Sequence, residues 1–303
     1  VKRITIVLGA GGPVGHAFHA GLLSALDRGL GWDPRNAHLV VGTSAGAQVG
    51  ALLRAGMSGD DLAARVTGDP MSEEGADVAA HWFRPSQDQP REARPYRPSS
   101  TTYLRKAMRA PWRARPARFV SALLPDGHVC LKRQIAGLNR VFGDEWPERH
   151  LWITAVCLHS GERLAFGREG APRVDVGTAV ASSGAVPSIC TPVELEGRKL
   201  VDGGMHSATN LDLLEDTDDD LVIVSSPLSM IGPMRFLLRS ELRRLRKRGK
   251  RVVTFEPRGR AAEVMGRDPM ALHKAPDVAR ASRETFLEEL EKPALRELFD
   301  GVL

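Results

Sequence analysis

Three short stretches of the chain hold residue types that could carry out chemistry. In "HLVVGTSAGAQVGALLRAG", residues 38–56, an apolar run ends in Gly-Thr-Ser-Ala-Gly and a small-residue helical pattern follows at once. Ser44 lies between Gly42 and Gly46, on the corner where a strand would turn into a helix. A serine needed only as a cap requires no glycine on either side. Glycines at those places permit a tight, strained turn that lifts the hydroxyl above a sheet, as a nucleophile requires. The second stretch, "GAGGPVG" at residues 9–15, exposes several backbone N–H groups in one direction, a nest for negative charge. The third is "VDGG", where Asp202 ends an apolar strand and Gly203 and Gly204 leave room beside it. A carboxylate held close and partly desolvated can take a proton from serine directly. An ordinary Asp-Gly turn is the competing reading.

Other readings of these motifs fare worse. A dinucleotide fingerprint fails, because Val14 occupies the last glycine position in the frame from Gly9 and no acidic residue closes the second strand. A Walker A loop is excluded, since no Gly-Lys-Ser/Thr follows the glycines. The histidines after Ser44 (His81, His128, His150, His159, His206, His273) stand in no triad context. His206, four residues past Asp202, is the least unsuitable of them. Cys190 reads as a small buried hydrophobe, and Asn210 either orders the loop after Asp202 or, as the favoured reading, caps the "LDLLE" helix.

The elements that must position these groups alternate. "RITIVL" is a strand running into the glycine loop, and "HAFHAGLLSALDRGLG" a helix. "HLVV" is a second strand, followed by a helix from Ala45 to about Ala55. This order implies an α/β fold with a parallel sheet and helices packed on it. After residue 151, "LWITAVCL", "ERLAFG", "RKLVDGG", "DLVIVSS" and "KRVVTFEP" read as strands. "VDVGTAVASSGA" and "MRFLLRSELRRLRKRG" read as helices, as does the C-terminal stretch, which breaks at Pro293. Residues 68–127 differ: "RPSQDQPREARPYRPSS" is polar, proline-rich and aperiodic, with Trp82, Phe83, Trp112 and Phe119 around it. They read as an irregular, lid-like insertion within a single domain spanning 1–303.

With 303 residues, 42% of them hydrophobic and 26% charged, the composition is that of an ordinary soluble protein. No apolar run is long enough to span a membrane, and the N-terminal residues lack the apolar core of a signal peptide. Cys130, Cys157 and Cys190 lie far apart, which argues for a reducing compartment and against a zinc or disulfide framework. The cytoplasm is the expected address. The net charge is +5, yet aromatic residues make up 5% and do not interleave with the basic ones, so no nucleic-acid platform is expected. The run from Arg235 to Arg251 carries nine Arg or Lys residues. Leu238, Leu242 and Leu245 make it a helix that packs on a sheet with a solvated basic face. Peripheral contact with an anionic membrane surface is the alternative.

Taken in order, "LGAGGPVG", "GTSAG", "AVASSGAVPSICTPVELEGRKLVDGG" and the "VDGG" that ends it resemble the patatin-like phospholipase family over roughly residues 4–56 and 175–225. The resemblance implies a three-layer α/β domain with a mainly parallel sheet flanked by helices, and lipid acyl hydrolysis. It implies Ser44 as nucleophile, Asp202 as its general base without a histidine, the Gly11 and Gly12 N–H groups as oxyanion donors, and Ser182 and Ser183, ahead of Pro187, in a segment that packs rather than reacts. The substrate would be an acyl lipid, with no metal or organic cofactor. One departure is Val14, where the family often carries Arg or Lys, which leaves the donor set open. A catalytically silent acyl-lipid-binding module, an acyltransferase or thioesterase, and a Ser–His–Asp hydrolase using His206 or His273 are the competing functions.

Overall fold

Ile4–Leu8 (β1), Leu39–Gly42 (β2) and Leu221–Ser225 (β7) are apolar, mostly β-branched runs buried throughout their length. Continuous burial is what a parallel strand covered on both faces shows. In this computed structural model, which describes residues 2–81, 98–109, 119, 122–299 and 301, those strands form the centre of one sheet. Hydrogen-bonded neighbours run β5-β6-β3-β2-β1-β7-β8, with β4 also on β3. The remaining strands are His150–Cys157 (β3), Arg163–Phe166 (β4), Val193–Leu195 (β5), Arg198–Asp202 (β6) and Val252–Phe255 (β8). β1, β2, β3, β7 and β8 are mutually parallel, while β4 and β6 run antiparallel to β3.

Alternation along β1 divides the core. Ile4, Ile6 and Leu8 join Phe18, Leu22 and Leu26 of Gly12–Leu30 (α1), Leu52 of Ala45–Arg54 (α2) and Phe286 of the C-terminal helix Ala275–Leu290. Val7 points the other way, with Val41, Val222 and Val224, onto Leu238, Leu242 and Leu245 of Gly232–Lys247. Helices therefore cover both faces, and the fold is the expected three-layer α/β arrangement. The leucine stripe in the basic run packs on the sheet, as its spacing requires.

The register on β3 decides which strand ends meet. Ile153 pairs with both Gly42 and Phe166, and Ala155 with both Leu164 and Asp202. A strand residue has one neighbour on each edge, so β4 holds one edge and β2 and β6 share the other, end to end. Their carboxyl ends face each other two β3 residues apart, about 7 Å along the strand.

Within residues 68–127, Glu73–His81 and Thr101–Arg109 are helical, so the segment has more regular structure than its composition suggests. Phe119 is exposed; Trp82, Phe83, Trp112 and most of the proline-rich run lie outside the described residues. A further helix, Gly59–Thr67, begins with a reciprocal capping box between Ser58 and Asp61.

Gly46 sets how closely α2 approaches the sheet. A Cβ there would lie 1.9 Å from the Leu8 carbonyl oxygen, which is backbone and cannot move aside. Gly46→Ala is expected to destabilise the fold by about 2 kcal/mol or more, measured by urea denaturation. Wild-type stability in that variant would show that the contact is not tight.

Candidate active site

Ser44 has φ 55° and ψ −115°, a conformation that costs a non-glycine residue about 1–3 kcal/mol. Its surroundings hold it there. The Thr43 N–H donates to the Leu8 carbonyl (3.0 Å), and the Ser44 N–H to the hydroxyl of Ser183 (2.8 Å). The Thr43 and Thr154 hydroxyls are 2.9 Å apart, which ties the turn to β3. Ser44 occupies the cap position of α2, but its side chain makes no capping hydrogen bond. The hydroxyl instead pairs with the carboxylate of Asp202.

Asp202 reaches that position because β6 ends where β2 ends. It is 3% exposed, and the Gly204 N–H donates to its Oδ1 at 2.7 Å. Burial pushes its pKa up to about 6, against the opposing hydrogen bonds from Ser44 and Gly204. An acid with that pKa is ionised at neutral pH and is a far stronger base than an exposed aspartate.

The glycine loop packs against the segment after Asp202. The Ala10 N–H donates to the Ala208 carbonyl (2.8 Å), and a Cβ on Gly204 would touch that of Ala10 at 3.4 Å. Gly12 has φ +60°, and a Cβ on it would meet the Pro269 oxygen at 2.7 Å, so only glycine fits. The Val14 N–H is consumed by the Pro269 carbonyl at 3.2 Å, and Pro13 has no N–H. Among the described residues, the Gly11 and Gly12 N–H groups have no acceptor.

Asn210 takes the alternative role, ordering the loop after Asp202, and not the favoured capping one. It adopts a left-handed conformation at the start of the 3-10 turn Leu211–Leu214 but makes no capping bond. Its Nδ2 donates to the Ser207 carbonyl (2.7 Å) and to the Thr43 hydroxyl (3.1 Å), joining the aspartate loop to the serine turn. Capping fails because the side chain points inward, where buried acceptors need a donor. Ser182 donates to the Thr178 carbonyl, whereas Ser183 accepts from Ser44, so one of the two supports the turn. His206 faces Asp212 at 3.8 Å, and His273 is solvent-exposed.

Two supporting residues carried no sequence signal. His19 is fully buried, its Nε2 2.7 Å from the Gly9 carbonyl and its Nδ1 2.7 Å from the Ser225 hydroxyl. A carbonyl only accepts, so Nε2 carries the proton and Nδ1 accepts from serine. Burial pushes its pKa down to about 4, which keeps it neutral while it holds the root of the glycine loop. Glu241 is also buried; its Oε2 accepts from the Thr209 hydroxyl at 2.6 Å, beneath the loop after Asp202. Burial raises its pKa as well.

A family model for patatin-like phospholipase matches residues 6–215, which contain the glycine loop, Ser44, Asp202 and Asn210. The chain belongs to the patatin-like phospholipase family, whose members are lipid hydrolases. Among solved structures it is similar to the type III effector protein ExoU (16% identity, TM-score 0.39, 96% of this chain and 53% of ExoU). It is also similar to VipD from Legionella pneumophila (13% identity, TM-score 0.44, 96% of this chain and 66% of VipD). The chain thus spans about half to two thirds of the length of those two proteins.

The raised pKa of Asp202 is also a statement about stability. Between about pH 3.8 and 6 the folded protein binds a proton that the unfolded chain has released, so stability falls as pH rises through that window. Above it the full penalty, about 3 kcal/mol, is in force. Asp202→Asn removes the charge and keeps an acceptor for Gly204. It is expected to be more stable than wild type at pH 8 by up to that amount, with the gain shrinking toward pH 4, as read by urea denaturation at both pH values. A gain that is the same at both would exclude the linkage.

Proposed function

We propose that the protein is a serine lipid acyl hydrolase in which Ser44 is the nucleophile and Asp202 its general base. The observation that carries this reading is the strained serine whose hydroxyl engages a buried carboxylate, with no cation beside it among the described residues, instead of capping its own helix. In the first step, the Ser44 Oγ attacks the ester carbonyl carbon while Asp202 takes its proton. The carbonyl oxygen becomes an oxyanion, held by the Gly11 and Gly12 N–H groups. Collapse breaks the bond to the alcohol, which leaves with the proton from Asp202, and the acyl group remains on Ser44. A water then gives its proton to Asp202 and attacks the acyl carbon. The fatty acid departs, and the proton returns to the serine.

No metal or organic cofactor enters the scheme. We place the catalytic unit in one domain, with residues 68–127 as an insertion beside it. An acyltransferase on the same scaffold would replace the water with an alcohol acceptor, and product analysis with added glycerol separates the two. Among the described residues no helix is long and apolar enough to cross a membrane, so this scheme has the lipid approach from outside the fold.

Ser44→Ala is expected to lower kcat on a nitrophenyl ester or phospholipid by on the order of 10³-fold or more. A fluorophosphonate should label wild type but not this variant. The base acts only when ionised, so kcat/KM should fall as pH drops through about 6, the limb set by Asp202. Unchanged turnover in Ser44→Ala, or a limb centred near pH 4, would end the proposal.

A further inference from the structure

Because β1, β2, β7 and β8 run parallel, the segments leaving their carboxyl ends gather at the end of the sheet that carries Ser44. Two of these come from the second half of the chain: residues 226–236, after β7, and residues 256–270, after β8. Between them lies a cleft of about 510 Å³ that reaches the glycine loop at Gly11 and Val14. Pro227, Ile231, Met265 and Pro269 give it apolar walls, and Arg235 and Arg267 also line it. Its single lining carboxylate, Asp268, is engaged by the Met270 N–H at 2.9 Å.

The outer lip of this cleft is unusual for a surface in water. Ile231, which lines the cleft, is 39% exposed, and Phe236, next along the chain from the cleft-lining Arg235, is 73% exposed, while Leu238, Leu242 and Leu245 of the same helix as Phe236 point into the core. The nearby cations are also uncommitted. Arg235 donates only to the Ser229 carbonyl (2.8 Å), and among the described residues neither Arg235 nor Arg267 has a carboxylate in ion-pair range. Further along, Arg239 pairs with Glu256, Arg244 with Glu215, and Arg248 with Glu215 and Asp216. With Lys250 on Asp219, four of the nine cations in the run are paired among the described residues, and the unpaired Arg235 at its amino end stands next to the exposed Phe236 and shares the cleft with the exposed Ile231.

We propose that this lip is the surface on which the protein seats against an anionic lipid bilayer. Ile231 and Phe236 enter the headgroup boundary while Arg235 and Arg267 meet lipid phosphates. Aromatic and aliphatic side chains beside unpaired cations are the combination an interfacial site requires, since apolar burial and attraction to anionic lipid then add. The site faces the same end of the sheet as Ser44, so a seated bilayer presents lipid to the cleft beside the glycine loop. The inference rests on the lipid-substrate reading, but it is tested without turnover.

Ser44→Ala protein is sedimented with vesicles of phosphatidylcholine alone and of an equal mixture of phosphatidylcholine and phosphatidylglycerol. Binding is expected to the mixed vesicles and to weaken as salt is raised. Adding Ile231→Ser and Phe236→Ser should weaken it at least about tenfold. Adding Arg235→Glu and Arg267→Glu instead should abolish the preference for phosphatidylglycerol. All four positions lie at the surface or cleft mouth, and thermal melting checks that each variant folds like its parent. No sedimentation of the Ser44→Ala parent, or equal affinity in the Ile231/Phe236 variant, would overturn the proposal; equal binding to both vesicle types would overturn its anionic part. Failure of the hydrolase reading would appear elsewhere, as a wild-type protein that cleaves no ester.

Discussion

A carboxylate removed from water, with no cation beside it among the described residues, is the constraint on which the rest of this structure depends. Among the described residues, the Asp202 carboxylate has two donors, the Ser44 hydroxyl and the Gly204 N–H. An arginine or lysine at the same distance would relieve the burial penalty, but it would also lower the pKa and make a weak base. The site tolerates an under-compensated charge, and the folded state is less stable for it. Basicity and stability are set in opposition by one side chain, as the proposed role of Asp202 as a base would require.

That arrangement needs a particular strand direction. β2 runs parallel to β3 and delivers Ser44 at its carboxyl end. Another parallel strand further along the same edge would turn its amino end toward the serine and leave its last residue far away. Only an antiparallel strand brings a carboxyl end to meet the first, and β6 is antiparallel. The reversal in a mainly parallel sheet is thus the means by which a residue two thirds of the way along the chain meets one from the first sixth. Thr154, on the shared strand between the two ends, bonds to the serine turn, and Asn210 closes the same gap from the other side.

Much of this is legible in the sequence. Ser44, Asp202 and the glycine loop announce themselves because each needs small neighbours, and glycines in a row are conspicuous. The strands are legible because burial on both faces leaves unbroken apolar runs. The supports are not. His19 lies in a helical apolar stripe where a histidine carries no local mark, and its function depends on a carbonyl and a serine 206 residues away. Glu241, amid a basic run, reads as one more surface charge until the fold turns it inward. Asn210 reads as a cap because sequence shows a residue's neighbours along the chain and not the acceptors that folding buries beneath it. Antiparallel pairing of β6 is likewise a long-range fact with no local signature.

The helix Gly232–Lys247 joins the inside of the site to its outside. From its inner face Glu241 accepts from Thr209 and from the Leu211 N–H, fixing the loop that follows Asp202. Phe236, five residues earlier and next to the cleft-lining Arg235, is exposed to solvent. At about 1.5 Å of rise per residue the two are separated by little more than one turn along a rod that Leu238, Leu242 and Leu245 anchor to the sheet. A close-packed helix does not bend locally to accommodate a load at one end. The lip proposed to meet lipid and the loop that follows Asp202, the proposed base, are thus carried by one helix, and the hydrogen bonds of the buried Glu241 carboxyl to Thr209 and Leu211 are contacts that join that helix to the loop.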